Sequence, residues 1–390
     1  MVRQTPRRAT VRALGSSIAE PTGSDLLTTP EFIAELQTAL MSATRSISLQ
    51  LMTFDGDSAG LPVAGLLAEA VERGVQVRLL VDSFALRFVS DHPAGRAAVA
   101  EEFATTLQMY SDLENAGVEL RFTHPNGPAH VLSLARNHKK IFVIDDVAYV
   151  GGINVSDHNY EWHDFMVRLT DPALVAAVAN DFYTSFSGER QTAEAPIVTN
   201  SAVEATFDEM IANATERVVV ASPYALDLKL TKILDRCEAK AKTVVLAPDN
   251  NFKFLQMISP YLQTRLVKSG VDIMAYGRFS HAKFLLADDA VLVGSSNYGR
   301  HSFWCNQEIG LVIRDPSFVA SIEHYLTVDG LAPVETRSSA GRWAIGWLFS
   351  NAMIVYLWLY SRTIARRVPP LAKRPKLLSV AAGRWSKAAV

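Results

Sequence analysis

Apolar and polar positions along the chain form two successive sets of strand-like and helix-like pattern. Residues 47–54 are rich in β-favouring side chains and read as a strand. From 61 to 73, Val63, Leu66, Leu67, Ala70 and Val71 recur at the spacing of a helix with one buried face. Pro62 suits its first turn and Gly74 its end. The run VQVRLLV at 75–81 is a second strand closing with Asp82. Residues 83–118 read as a mostly helical insertion, followed by strands at 141–144 and 148–150. The second set copies this order, with a strand at 218–221, a helix at 230–241 and a strand at 243–247. A helix at 252–268, stopped by Gly270, and strands at 271–275 and 284–287 complete it. Strand, helix, strand is the unit of a largely parallel sheet. Periodicity breaks near 188–200, where Gly188 and Pro196 mark a linker. The expectation is an α/β fold of two pseudo-twofold-related α/β/α sandwich repeats with mixed sheets and an active site at their interface. The repeats are placed at 25–190 and 191–333, with a basic tail at 1–24 and an apolar helix plus basic tail at 334–390.

The pattern changes again at 343–360, which is apolar except for Gly346, Ser350 and Asn351. Such a helix is ~27 Å long, close to the thickness of a bilayer core. Trp343, Trp347, Tyr356, Trp358 and Tyr360 cluster towards its ends, as interfacial anchors do. Pro369 and Pro370 follow it. The net charge of −2 conceals segregation. Residues 1–19 carry Arg3, Arg7, Arg8 and Arg12 without an acid, and ten Lys or Arg follow Glu335 without one. Fourteen of the 38 basic residues thus sit in the tails, leaving 24 against all 40 acids and a body of formal charge −16. That distribution opposes a nucleic-acid partner, which needs a basic groove. It favours an anionic membrane surface held by the ends, at about 1 kcal/mol per basic residue. The N-terminus has no apolar run behind its arginines, so no signal peptide is expected. The expected location is the cytoplasmic membrane with the body on the cytosolic side. Ordinary spanning would put the basic tail outside, so a monotopic or re-entrant C-terminal attachment is expected. Oligomerisation through this helix is open. Deleting 337–390 is expected to release the protein from membranes and leave the active site folded. Cys237 and Cys305 lack metal or disulfide spacing and read as free, packed thiols.

Candidate chemistry comes from a motif present twice. His138-Lys139-Lys140 precedes Asp145 by the same count as His281-Ala282-Lys283 precedes Asp288. Gly151, Gly152 and Asn154 follow the first copy; Gly294, Ser295, Ser296 and Asn297 follow the second. Residues two apart on a strand project to one side, so each copy presents an imidazole with an ammonium, His138 with Lys140 and His281 with Lys283. Four such groups around one phosphorus suit attack on a phosphate ester. One histidine attacks and the other protonates the leaving oxygen. Lys140, Lys283, Asn154 and Asn297 can hold the non-bridging oxygens, and the glycines and serines let backbone approach the phosphate. An attacking imidazole needs an acceptor on its far nitrogen. Asp164 and Glu308, at similar distances downstream, are assigned that role, each to either histidine. Asp145 and Asp288 are expected to be structural. No metal and no cofactor is expected. His124, His130, His158, His163 and His301 lack a second copy and read as loop or supporting residues.

These residues resemble the phospholipase D superfamily, whose signature is HxKxxxxD twice, each followed by a Gly/Ser turn and Asn. The resemblance covers roughly 40–330. RNHKKIFVIDDVAYVGGIN and HAKFLLADDAVLVGSSNYGRHSFWCNQEIG are most similar to the bacterial cardiolipin synthase branch. Gly299 and His301 stand where that branch often has Asp and Arg, and its membrane helices are usually N-terminal. The resemblance implies phospholipid substrates and a phosphohistidine intermediate, with His138 as nucleophile and His281 as acid, then base. It implies a membrane-associated phosphatidyltransferase passing a phosphatidyl group to an alcohol, as in cardiolipin synthesis. Hydrolysis by water on the same intermediate is the alternative, and a nuclease of the same fold a more distant one.

Overall fold

A computed structural model describes residues 23–90, 92–93, 96–124, 134–189, 196–224, 227–247, 253–336 and 340–372. The basic tails at 1–22 and 373–390 and the first residue of the helix expected at 252–268 lie outside the described residues.

The first half runs β1 (Ser24–Thr28), α1 (Thr29–Ser42), β2 (Ser46–Leu51), α2 (Gly60–Glu72) and β3 (Gln76–Asp82). A short hairpin, β4 (Phe88–Val89) and β5 (His92–Pro93), precedes α3 (Ala100–Ala116) and β6 (Glu119–Thr123). Then come β7 (Ile141–Ile144), β8 (Val147–Gly151), α4 (Asp157–Glu161), β9 (Phe165–Leu169) and α5 (Pro172–Ser187). The second half runs β10 (Ile197–Thr199), α6 (Ser201–Asn213), β11 (Arg217–Ala221), α7 (Leu228–Arg236), β12 (Ala241–Leu246), α8 (Lys253–Lys268) and β13 (Asp272–Tyr276). It continues with β14 (Phe284–Ala287), β15 (Ala290–Gly294), α9 (Arg300–Cys305), β16 (Ile309–Ile313), α10 (Pro316–Val328) and β17 (Leu331–Pro333), and α11 (Ala340–Thr363) follows.

The sheet orders are β1-β9-β8-β7-β2-β3-β6 and β10-β16-β15-β14-β11-β12-β13-β17. Apart from β17 they match strand for strand. In both, the βαβ half pairs in parallel and the motif half is antiparallel. The duplication extends to caps. Asp171 and Asp315 each accept from backbone N–H groups in the first turn of the next helix, and Pro172 and Pro316 occupy that turn.

Burial explains how the halves meet. β7, β14 and β15 are buried along their whole length, so both their faces are covered. One apolar cluster joins Ile141, Val150 and Phe165 of the first sheet to Phe284, Val293 and Ile309 of the second. Separate clusters lie under α1 to α3 and under α6 to α8. The two sheets therefore share the middle layer of the molecule, each with its own helical layer outside.

Three elements differ from expectation. The helix expected at 230–241 stops at Arg236. The N–H groups of Lys240 and Ala241 donate to the carbonyls of Thr215 and Glu216, so sheet pairing claims these residues despite their helical pattern. The stretch read as a linker at 188–200 contains β10, which pairs antiparallel with β16. Within the insertion at 83–118, α3 is the main helix and a turn and hairpin occupy its start.

The apolar C-terminal segment is α11, and it is not a detachable appendage. Trp343 meets Tyr261 of α8 with ring centroids 5.1 Å apart. Leu357 and Tyr360 are buried with Ala135 and Cys305. The Tyr360 hydroxyl accepts from the N–H groups of Leu134 and Ala135, three to four residues before His138. After the helix, Ala372 donates to Phe122 at the end of β6. Deletion from residue 337 would remove these supports. The opposite face of α11 exposes Trp347, Leu348, Phe349, Val355, Trp358 and Leu359.

Candidate active site

The His-Lys pairs lie just before β7 and β14, where each chain leaves its sheet towards the other half. His138 N–H donates to Gln307 O and Gln307 N–H to Arg136 O. In the other copy, His281 N–H donates to His163 O and His163 N–H to Phe279 O. Each motif thus runs in parallel beside the segment that precedes the other half's acid.

This pairing decides which acid serves which histidine. His138 Nδ1 lies 3.1 Å from Glu308 Oε2, and His281 Nδ1 lies 2.8 Å from Asp164 Oδ2. The carboxylates are exchanged between halves, each facing Nδ1 of the other half's histidine. Both histidines, both acids and both lysines are buried. Lys140 Nζ donates to His138 O at 2.7 Å, and Lys283 Nζ donates to His281 O. Lys283 Nζ is also 3.7 Å from Asp164 Oδ2. Lys139 alternates to the other side of the strand, where its ammonium binds both oxygens of Asp181 at 2.8 Å.

Burial and mutual charge tune the groups. Desolvation, then Lys283, brings Lys140 down to about 7. Desolvation brings Lys283 down to about 8. His281 is pushed well below the ordinary imidazole value by burial, Lys283, Lys140 and His138. His138 is lowered by burial against the opposing pull of Glu308. Glu308 falls to about 2, because His138, Ser295 and Lys140 together overcome its burial. Burial raises Asp164 to about 6 despite Lys283. The mutual influence of His138, His281, Lys140 and Lys283 places them in one electrostatic site.

The remaining expected residues have definite places. Ser295 Oγ donates to Glu308 Oε2, Ser302 Oγ donates to Oε1 at 2.8 Å, and Asn306 Nδ2 reaches Oε1 at 3.3 Å. A Cβ on Gly152 would sit 2.3 Å from Asp164 Oδ2, and one on Gly294 would sit 2.1 Å from Ile309 O. Gly151 is equally tight against Phe165 O at 2.6 Å. These close approaches belong to the neighbouring strands and carboxylate, so the glycines make room for Asp164 and for the backbone of β9 and β16. Ser296 Oγ accepts from Tyr298 N–H. Asn154 Oδ1 accepts from Met52 and Thr53 N–H at the end of β2. Asn297 Oδ1 is buried without a hydrogen-bond partner. Asp145 sits at φ 49° and accepts from the N–H groups of Thr44, Arg45 and Ser46. Asp288, at φ 50°, does the same for Thr215, Glu216 and Arg217.

Sequence reasoning passed over several contributors. Trp162 lies 4.6 Å from the His281 ring and Tyr224 6.3 Å from it, forming an aromatic wall. Asp82 accepts from Asn137 N–H and from Arg136 Nη1, fixing the residues before His138. Ser302 and Trp162 are signalled only by nearness to Glu308 and Asp164 in the chain. Among the other histidines, His163 stacks on Tyr325, His158 packs edge-on against Trp162, His301 reaches Leu134 O and His124 pairs with Asp82. His130 lies outside the described residues. Among the described residues, Asp55, Asp57 and Glu102 bring three carboxylates within 4.8 Å, a grouping that could hold a cation and shares no residue with this site.

The family described as "Cardiolipin synthase, PLD-like domain" matches residues 36–185 and 207–329. Cardiolipin synthase A of Pseudomonas putida (strain GB-1) is 27% identical over 328 residues, covering 75% of this chain and 64% of that protein. Cardiolipin synthase B of Salmonella typhi is 26% identical over 329 residues, covering 74% of this chain and 75% of that protein. The match to the Pseudomonas relative thus spans less than two thirds of its length. Among solved structures, phosphatidylserine synthase of Haemophilus influenzae Rd KW20 superposes with a TM-score of 0.65 at 14% identity, covering 87% of this chain and 95% of that one. That likeness is one of fold.

Proposed function

The chain belongs to the phospholipase D superfamily, in its cardiolipin synthase branch, and from that premise we propose that it is a membrane-associated phosphatidyltransferase. The observation that carries this reading is the exchanged pair of dyads, His138–Glu308 and His281–Asp164, with Lys140 and Lys283 buried among them.

His138 Nε2 attacks the phosphorus of a phospholipid donor, and the bond from phosphorus to the headgroup oxygen breaks. Protonated His281 gives its Nε2 proton to that oxygen, and a phosphatidyl-histidine remains. His281, now neutral, takes the proton of an acceptor alcohol. The alcohol oxygen attacks phosphorus, the P–N bond breaks and His138 is released. Glu308 fits the nucleophile's partner because it stays ionised and is fixed by Ser295, Ser302 and Asn306. It orients the ring and stabilises the cationic imidazole of the intermediate. Burial behind the Trp162 and Tyr224 wall, then the charges of Lys283 and Lys140, resist protonation of His281, and the bound phosphate anion offsets them. Lys140 and Lys283 hold the non-bridging oxygens as charge grows there.

The exposed apolar face of α11 supports attachment in the plane of the membrane interface. Its other face is committed to α8 and the Leu134–Ala135 loop, as for a monotopic helix. We place the body on the cytosolic side because both of its ends are basic.

Purified protein supplied with phosphatidylglycerol micelles, with and without added glycerol, tests the activity. Transfer predicts cardiolipin and alcohol-dependent exchange products; phosphatidic acid alone would assign the hydrolase alternative. Cleavage of plasmid DNA, lost in His138→Ala and without any phospholipid product, would overturn both.

A further inference from the structure

Beside the aromatic wall of the site, α8, α11 and the turn around Asn297 border a half-open cavity of about 280 Å³. Asn297 and Tyr224 line its end nearest His281, whose ring lies 6.3 Å from that of Tyr224. Leu228, Ile258, Leu262, Ile354 and Leu357 supply its apolar lining, and Asp227, Arg300, His301 and Ser302 also border it. Two polar atoms of lining residues, Ser350 Oγ and Asn297 Oδ1, are buried and without a hydrogen-bond partner. A buried hydroxyl left unpaired is costly unless a ligand satisfies it. Ser350 is 6% exposed, on the inner face of α11.

We propose that this cavity takes one acyl chain of the phosphatidyl donor, with the Ser350 hydroxyl donating to the ester carbonyl at the root of that chain. The inference rests on the phosphatidyltransferase reading and names how that substrate is held. The volume is just below the ~300 Å³ lower end for small-molecule pockets, so it suits part of one chain and not a whole diacyl lipid. Tyr224, which lines the cavity and faces His281, sets the proposed direction: the phosphate at the histidines, the ester near Ser350, the methylenes against Ile354 and Leu357. A Cβ on Gly346 would lie 2.5 Å from Tyr261 Cβ, so a glycine there lets α11 close against α8 and form the outer wall. The far side of α11 is the exposed apolar face, and the cavity therefore sits one helix thickness, ~10 Å, inside the proposed membrane surface.

The test uses the full chain carrying His281→Ala, to halt turnover, and phosphatidylglycerol bearing a photoreactive diazirine in one acyl chain. After irradiation, peptide mapping is expected to place label on α8 and α11 at Ile258, Leu262, Ile354 or Leu357. Adding Ile354→Trp, which fills the cavity, is expected to cut that label about tenfold. Label confined to Leu348, Val355 and Leu359 on the exposed face, or label indifferent to Ile354→Trp, overturns the proposal. Ser350→Ala in the otherwise unaltered chain gives a second measurement that does not depend on refilling the cavity. Loss of one hydrogen bond is expected to raise KM about three- to tenfold for ester-linked donors, removing their advantage over ether-linked analogues. An equal effect on both donors overturns the role of Ser350. If label maps inside the cavity but no phospholipid is turned over, the lipid site stands and the phosphatidyltransferase reading is what fails.

Discussion

Replacing Glu308 by Gln removes one charge from the site and little volume. Glu308 faces His138 Nδ1 at 3.1 Å and is itself held by Ser295, Ser302 and Asn306. In the proposed mechanism His138 bonds to phosphorus and its ring becomes cationic, with the Glu308 carboxylate as its counter-charge. Two unit charges about 4 Å apart at an effective dielectric of ~20 interact by about 4 kcal/mol. A glutamine can keep one hydrogen bond to the ring but supplies no charge, so most of that term is lost. At 1.36 kcal/mol per decade, the expected slowing of phosphatidyl-enzyme formation is about 10²- to 10³-fold. Rapid quench with radiolabelled donor, trapping the acid-labile adduct, measures this step. The leaving group separates the two dyads. Glu308→Gln should slow adduct formation from a p-nitrophenyl phosphodiester as much as from a phospholipid. Asp164→Asn acts through the proton donor, so a good leaving group should recover most of its loss. The converse outcome, with p-nitrophenyl esters rescuing Glu308→Gln, would exchange the roles of His138 and His281. Less than tenfold effects from both variants would refute the charge argument itself.

Other consequences follow from the same geometry. Gly152→Ala would put a Cβ 2.3 Å from Asp164 Oδ2; turnover should drop about as far as in Asp164→Asn while the circular dichroism stays native. Lys140 and Lys283 are held at about 7 and about 8, below their ordinary value of 10.5. The unfolded chain binds more protons than the folded one between those values, so these lysines make unliganded stability rise with pH from about 7 towards 10. Lys140→Met should accordingly raise Tm at pH 7, by about 1 °C per 1 kcal/mol gained in a chain of this length, while abolishing turnover; a lower Tm in calorimetry would contradict the burial penalty. Binding of inorganic phosphate should take up a proton near pH 8, because the anion favours the charged lysines, and calorimetry in buffers of different ionisation enthalpy reads it. Asp145→Ala removes an acceptor of three backbone N–H groups from a left-handed turn; it should cost about 1–3 kcal/mol, seen as a lower midpoint in urea, with Asp145→Asn retaining part of the loss.

Much of this arrangement can be read from the chain because it is written twice. Period-two placement of His138 with Lys140 and of His281 with Lys283 requires only that each sit on extended backbone. Strand patterns such as VQVRLLV and the apolar runs of β7 and β14 carry their own signal. What escaped reading depends on contacts made across the sheets. β1 and β10 are short edge strands whose identity comes from pairing with β9 and β16. Ser302 and Trp162 gain meaning only when Glu308 and Asp164 are placed. The helical pattern at 237–241 gave way because pairing with β11 begins there. The 343–360 segment shows its apolar character plainly, yet nothing in its composition tells which face meets α8, or that Tyr360 would brace the loop before His138.

The exchange of carboxylates gives the duplication a chemical consequence. Two copies of one α/β unit could each have completed its own His–acid dyad and left two weak sites. Here the parallel pairing of Asn137 with Gln307 and of His163 with Ser280 lays each motif against the other half's acid. Neither half then contains a working dyad, and the active geometry exists only when the shared apolar layer is closed. The same exchange frees the dyads to differ. Glu308 sits in a net of hydroxyl and amide donors and is driven down to about 2, whereas Asp164 lies beside a glycine turn with fewer donors and is raised to about 6. One histidine is thereby backed by a permanent anion and the other by a group near its titration point. That inequality is what a two-step displacement requires: a constant counter-charge where the covalent bond forms, and a changeable partner where the proton moves out and back.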